Sequence, residues 1–212
     1  LGMLPLLREG NIVSTEYAYS RIPLELDPFD DETFKNNTVP FYAVITSVET
    51  GKPEYVRITG AFDQMDTLRA SGSMPFVSKP VIIDGKEYLD GGISDRIPYK
   101  WMLSKGCDKV VVILTRDDTY RKKPMKWFLK NYYRKYPNLN ETLKKRHENY
   151  NNTLESLKDA EREGKAFVFR PTKPITIKKT EKDPENLQSV YDMGRTDAEN
   201  LLSELKVYLS VE

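Results

Sequence analysis

Between Val81 and Gly92 the sequence admits few backbone paths. Val81-Ile82-Ile83 and Lys86 to Leu89 are short β-prone runs separated by Asp84-Gly85. An Asp-Gly pair there predicts a two-residue hairpin, because a type I′ turn needs positive φ at both central residues. The second run stops at Asp90-Gly91-Gly92. Adjacent glycines admit conformations closed to other residues and leave room for a close approach. Asp90 is therefore expected at a strand end, on a sharp and sterically open turn. Asp before Gly is by itself ordinary turn chemistry, since its carboxylate can accept nearby backbone N–H groups.

The flanking sequence supplies the rest of an α/β pattern. Phe41 to Val48 is almost continuously apolar or β-branched, which predicts a strand covered on both faces, as in a mainly parallel sheet. Val110 to Leu114 and Ala166 to Phe169 read as two more buried strands. Pro98 to Lys105, bracketed by Pro98 and Gly106, predicts a helix before the second of these, and so a βα unit. Ser14 to Ile22 predicts a short helix stopped by Pro23. Glu54 to Ile58 alternates like an edge strand, and a short helix ending at Ala70 follows it.

From Thr119 the character changes. Met125, Phe128, Leu129, Tyr132, Tyr133 and Tyr136 recur at helical spacing, with Lys126, Lys130 and Arg134 off that stripe and Pro137 as the stop. Asn140 can cap a further helix running to Gly164, with Leu143, His147, Tyr150, Leu154 and Leu157 on one side. Asp183-Pro184-Glu185 opens a last helix with cap, proline and acid in sequence. Its stripe is Leu187, Val190, Tyr191, Gly194, Ala198, Leu201, Leu202, Leu205 and Tyr208.

Composition removes several function classes. The 212 residues carry a net charge of only +1, so the overall balance selects no partner. Cys107 is the single cysteine, which rules out an internal disulfide and any multi-cysteine metal site. No apolar run reaches the eighteen or so residues of a membrane span, and the first nine residues lack the basic start of a secretory signal. The chain is expected to be soluble and intracellular. It opens at Leu1, in what reads as the tail of a helix, and is expected to begin inside a larger protein.

A Ser-His-Asp triad needs a histidine, and the only one is His147, in a helical pattern beside an apolar stripe. It reads as a packing residue. Gly72-Ser73-Met74-Pro75 and Gly92-Ile93-Ser94-Asp95-Arg96 each fail to complete a G-x-S-x-G nucleophile elbow. A serine hydrolase built on this sequence would need a carboxylate to take the serine's proton directly, with burial raising its basicity.

Ala70-Ser71-Gly72-Ser73-Met74-Pro75-Phe76, followed by a hairpin ending in Tyr88-Leu89-Asp90-Gly91-Gly92, resembles the second half of the patatin-like phospholipases, most closely their bacterial members. The likeness extends from about Phe41 to the last helix. It implies a three-layer α/β fold with a mainly parallel sheet, here an N-terminally truncated portion with a helical C-terminal cap. Residues 1–118 would be the end of the catalytic domain. Residues 119–212 would be a basic helical cap with one further strand and the C-terminal helix, packed on the same domain.

The resemblance makes Asp90 the proton acceptor of a Ser–Asp dyad, on the motif Asp90, Gly91 and Gly92. Ala70, Ser71 and Pro75 would line the site. Ser71 and Ser73 are not the nucleophile in that family, so the chain itself holds none; the glycine-rich oxyanion loop is missing too. The implied activity of the complete protein is lipid acyl ester hydrolysis with no cofactor and no metal. This chain alone is expected to be inactive.

Residues Arg121 to Arg146 hold ten Lys or Arg and one acid, Glu141, interleaved with aromatics. Lys126, Lys130 and Arg134 could thus meet an anionic membrane, which would place a cytoplasmic protein at the membrane periphery. No base-reading motif points to nucleic acid. The rival reading is a non-catalytic module that uses the scaffold and its basic helix to dock on membranes or proteins.

Overall fold

A computed structural model describes residue 11, residues 14–178 and residues 180–209. The helix tail expected at the start lies outside the described residues. In chain order, a π-helical segment Tyr17–Leu26 precedes α1 (Asp31–Asn36), β1 (Phe41–Ser47), β2 (Pro53–Ile58) and α2 (Met65–Ser71). Then come β3 (Val81–Ile83), β4 (Lys86–Asp90), a 3₁₀ turn Gly91–Ile93, α3 (Tyr99–Ser104) and β5 (Val110–Ile113). A second 3₁₀ turn, Trp127–Leu129, leads to α4 (Pro137–Arg162), β6 (Ala166–Phe169) and α5 (Pro184–Leu209). The architecture is mixed α/β.

The chain forms two compact units interleaved in sequence. One takes in residues 1–96 and 124–147, the other residues 97–123 and 148–212.

In the first unit the strands lie in the order β2-β1-β4-β3. Every pairing is antiparallel, with Ile45 opposite Asp90, Thr46 opposite Leu89 and Val81 opposite Tyr88. The mainly parallel sheet expected from the apolar run of β1 is therefore not present here. Phe41 and Tyr42 are exposed and burial begins at Ala43, so the run is not covered on both faces along its length. The link from β1 to β2 is also only five residues, Val48 to Lys52, whereas a parallel crossover takes a dozen or more. β2 is an edge strand, as its alternation predicts. The β3–β4 turn has φ of +49° at Asp84 and +75° at Gly85, the positive pair a type I′ turn requires.

Two apolar clusters hold this unit. Ile45, Ala70, Val81 and Tyr88 join β1, α2, β3 and β4. Val48, Leu89 and Ile93 pack with Tyr133, Leu139 and Leu143. Pro23 does not stop the first helical segment but lies inside it. A wider turn, with Asp27 N–H donating to Ile22 O five residues back, relieves the clash a proline ring makes with an α-helical carbonyl.

The helix expected over residues 125–136 is only the 3₁₀ turn and irregular turns. Pro137 starts α4 instead of stopping a helix before it, consistent with proline's fitness for a first helical position. Asn140 consequently sits inside α4 and is buried, with no hydrogen-bond partner for its side-chain oxygen among the described residues, and is no cap. Without the helix, Phe128 and Tyr132 of the expected inward stripe face solvent.

In the second unit β5 and β6 pair in parallel, Val110 opposite Ala166 and Ile113 opposite Phe169. Val110, Val112, Ala166 and Val168 pack against Tyr150, Leu154 and Leu157 of α4. The α4 stripe read from spacing is thus buried at Leu143, Tyr150, Leu154 and Leu157, with His147 half-buried. β5 is not covered on both faces: Val111 is 40% and Ile113 76% exposed. α5 has no fully buried residue among those described. Val190, Leu201, Leu205 and Tyr208 are half-buried, whereas Leu187, Tyr191, Gly194, Ala198 and Leu202 of the expected stripe are exposed. Tyr208 anchors the helix end by donating its hydroxyl to Val110 O at 3.2 Å. Among the described residues no helix is long and apolar enough to cross a membrane.

Candidate active-site turn

Asp90 ends β4, where the hairpin and its glycines place it, and caps the 3₁₀ turn that follows. Its backbone is held from two sides. Its N–H donates to Ser73 O at 2.9 Å, and its carbonyl accepts the Thr46 hydroxyl at 2.9 Å. Thr46 is fully buried on β1, and with its proton given to Asp90 it accepts the Ser94 hydroxyl at 2.8 Å. The half-buried carboxylate is held at one end only: Oδ1 accepts the Gly92 N–H at 2.7 Å. No donor among the described residues reaches Oδ2.

Gly91 and Gly92 serve this turn by a different route from the one their conformational freedom suggests. Positive φ falls at Gly51, Gly85, Gly106 and Gly164, and at neither of these two. What Gly91 supplies is space. A Cβ there would lie 2.2 Å from Val44 O and 2.5 Å from its carbonyl carbon, a backbone contact nothing can relieve cheaply. A Cβ on Gly92 would stand 3.1 Å from Asp90 Oδ1 and crowd the carboxylate. Arg146 of α4 fixes the far side by donating Nε–H to Gly92 O at 2.8 Å.

The segment Ala70 to Phe76 lies behind the turn. Ala70 is fully buried at the end of α2, Ser71 closes that helix half-buried, and Pro75 is buried. Ser73 is buried, its hydroxyl donating to Arg69 O at 2.8 Å, and its carbonyl is the acceptor for Asp90 N. Phe76 holds the left-handed φ of +73°, unusual for a bulky residue, and donates its N–H to Tyr133 Oη at 3.1 Å. A cleft of about 190 Å³ opens on this segment, lined among others by Tyr19, Arg69, Ser73 and Lys79, and does not include Asp90.

Spacing gave no sign of several residues here. Thr46 and Ser94 brace the turn, and Arg146 reaches it from a distant helix. Tyr55 donates its hydroxyl to Asp95 Oδ2 at 2.6 Å; burial first, then this carboxylate, push the phenol well above its usual range. Asp95 itself donates its N–H to Gly91 O at 2.9 Å. His147 is on α4 with Nδ1 3.0 Å from Lys144 O, donating to that carbonyl within its own helix.

Residues 3–103 match the family model described as patatin-like phospholipase. Residues 136–210 match a second, described as a domain of unknown function, DUF6363. Over 117 residues the chain is 32% identical to the "Uncharacterized protein YjjU" of Escherichia coli strain K12, a stretch covering 53% of this chain and 32% of that protein. The chain spans about a third of the length of that curated relative.

Proposed function

We propose that this chain carries the base half of a serine hydrolase site acting on lipid or other carboxylic esters. The observation that carries the reading is Asp90, with one carboxylate oxygen held by Gly92 and the other without a donor. The patatin-like match over residues 3–103 supports the same assignment. Asp90 takes the proton of a serine contributed from outside these 212 residues as that oxygen attacks the acyl carbonyl. The proton passes to the departing alkoxide, leaving an acyl-serine and an alcohol. Asp90 then deprotonates water, which attacks the acyl carbonyl, and the released serine recovers the proton. Gly91 keeps the turn pressed on β1, and Gly92 leaves the carboxylate uncrowded. The Ser73 carbonyl, behind the turn, sets where Asp90 sits. Its hydroxyl, committed to Arg69, stays out of the chemistry.

Expressed alone, the 212-residue chain is expected to turn over no p-nitrophenyl ester above background and to resist a fluorophosphonate probe. Loss of a nucleophile and its oxyanion donors removes several orders of magnitude of rate. The protein with its upstream sequence should hydrolyse the ester and be labelled at one serine outside this chain. Labelling of Ser71 or Ser73 would contradict the assignment. A longer protein that binds vesicles but neither hydrolyses nor labels would favour the rival docking module.

A further inference from the structure

The segment from Pro124 to Tyr136 has two sides of opposite character. One side is pinned. Tyr133 is buried with Val48, Leu89 and Ile93, and Met125, Tyr136 and Phe76 pack on the same cluster. Tyr136 also donates its hydroxyl to Glu87 at 2.8 Å. The other side is held out in solvent: Trp127 is 81%, Phe128 59% and Tyr132 60% exposed. Lys126, Lys130, Arg134 and Lys135 of the same segment are exposed as well, and Lys126 Nζ stands 5.8 Å over the Phe128 ring.

From Pro124 to Asn140 there is no Asp or Glu, so four cations stand together in a chain whose net charge is only +1. None of the four forms an ion pair among the described residues. A chain gains nothing in water by displaying Trp and Phe on a 3₁₀ turn whose neighbours Tyr133 and Tyr136 are pinned.

We propose that this surface docks on an anionic lipid bilayer, with Trp127 and Phe128 entering the headgroup region and the four cations lying against the lipid phosphates. Indole and phenyl rings favour that interfacial zone, and basic side chains around them are drawn to acidic lipid. Within the patch Trp127 meets Phe128 in an edge contact at 6.1 Å. No base-reading motif accompanies these rings, and a nucleic acid strand is an outcome of the test. The role comes from the tip of an irregular segment, so the positions that matter are those projecting from one turn instead of those spaced along a helix. It does not depend on the hydrolase reading and stands if that reading fails.

The test uses the whole 212-residue chain in a Trp101→Phe background, which leaves Trp127 as the one indole. Phosphatidylcholine vesicles with increasing phosphatidylglycerol are titrated at low and high salt. Co-sedimentation should rise with the anionic fraction and fall with salt, and Trp127 emission should shift to the blue. Changing Lys126, Lys130 and Arg134 together to Glu should weaken binding more than a hundredfold, at about fivefold per charge lost. Changing Trp127 and Phe128 to Ser, with Trp101 restored, should weaken binding while the melting curve stays put, because both rings are exposed. Equal binding to neutral and anionic vesicles, absence of binding, or binding without a Trp127 shift overturns the proposal. So does tighter binding to a single-stranded oligonucleotide that displaces the chain from vesicles.

Discussion

Replacing Gly91 by Ala is expected to destabilise the chain by about 3 kcal/mol or more, the scale of a forced shift in a packed interior. The added methyl would sit 2.2 Å from Val44 O, and that carbonyl belongs to the central strand β1, paired on both sides. A flexible side chain could swing away; this backbone cannot without unpairing Ile45 from Asp90. The matched control is Gly85→Ala on the hairpin. Nothing lies within 4 Å of that position, so only its φ of +75° is at stake, at about 1–2 kcal/mol. Urea unfolding of the two variants separates the effects. A Gly91 variant no less stable than the Gly85 variant would mean that β1 and the turn are not in the close contact described.

The parts of the fold written in short-range chemistry were legible. Asp84-Gly85 specified its turn because positive φ at two adjacent residues leaves few other choices, and the placement of Asp90 at the strand end followed from it. The α4 stripe could be read because a run of 26 residues averages out individual exceptions. Pairing direction could not be read from the apolar run of β1, since side-chain burial does not report which way a neighbouring strand runs. The five-residue link to β2 held that information.

Residues 125–136 misled for a related reason. Their spacing fits a helix, but Pro124 and Pro137 bracket them, and Tyr133 and Tyr136 find their partners through a turn. At the candidate site the sequence pointed to Asp90 and the glycines. It could not name Thr46 or Arg146, which lie 44 and 56 residues from Asp90 in the chain and carry no local pattern.

The most direct test of Asp90 as the base is the pair Asp90→Asn and Asp84→Asn in the protein that includes the nucleophile. Asn at 90 keeps the size of the side chain and an oxygen to accept the Gly92 N–H, but it cannot take up a proton at the free position. Asn at 84 tolerates the φ of +49° and keeps the hairpin. Ester hydrolysis should fall by about a hundredfold or more in the first variant, the usual scale for a lost general base, and stay near the parent rate in the second. Both melting temperatures should remain close to the parent's. If both folded variants hydrolyse the ester at the parent rate, Asp90 is a turn residue and the base half of the site is not in this chain.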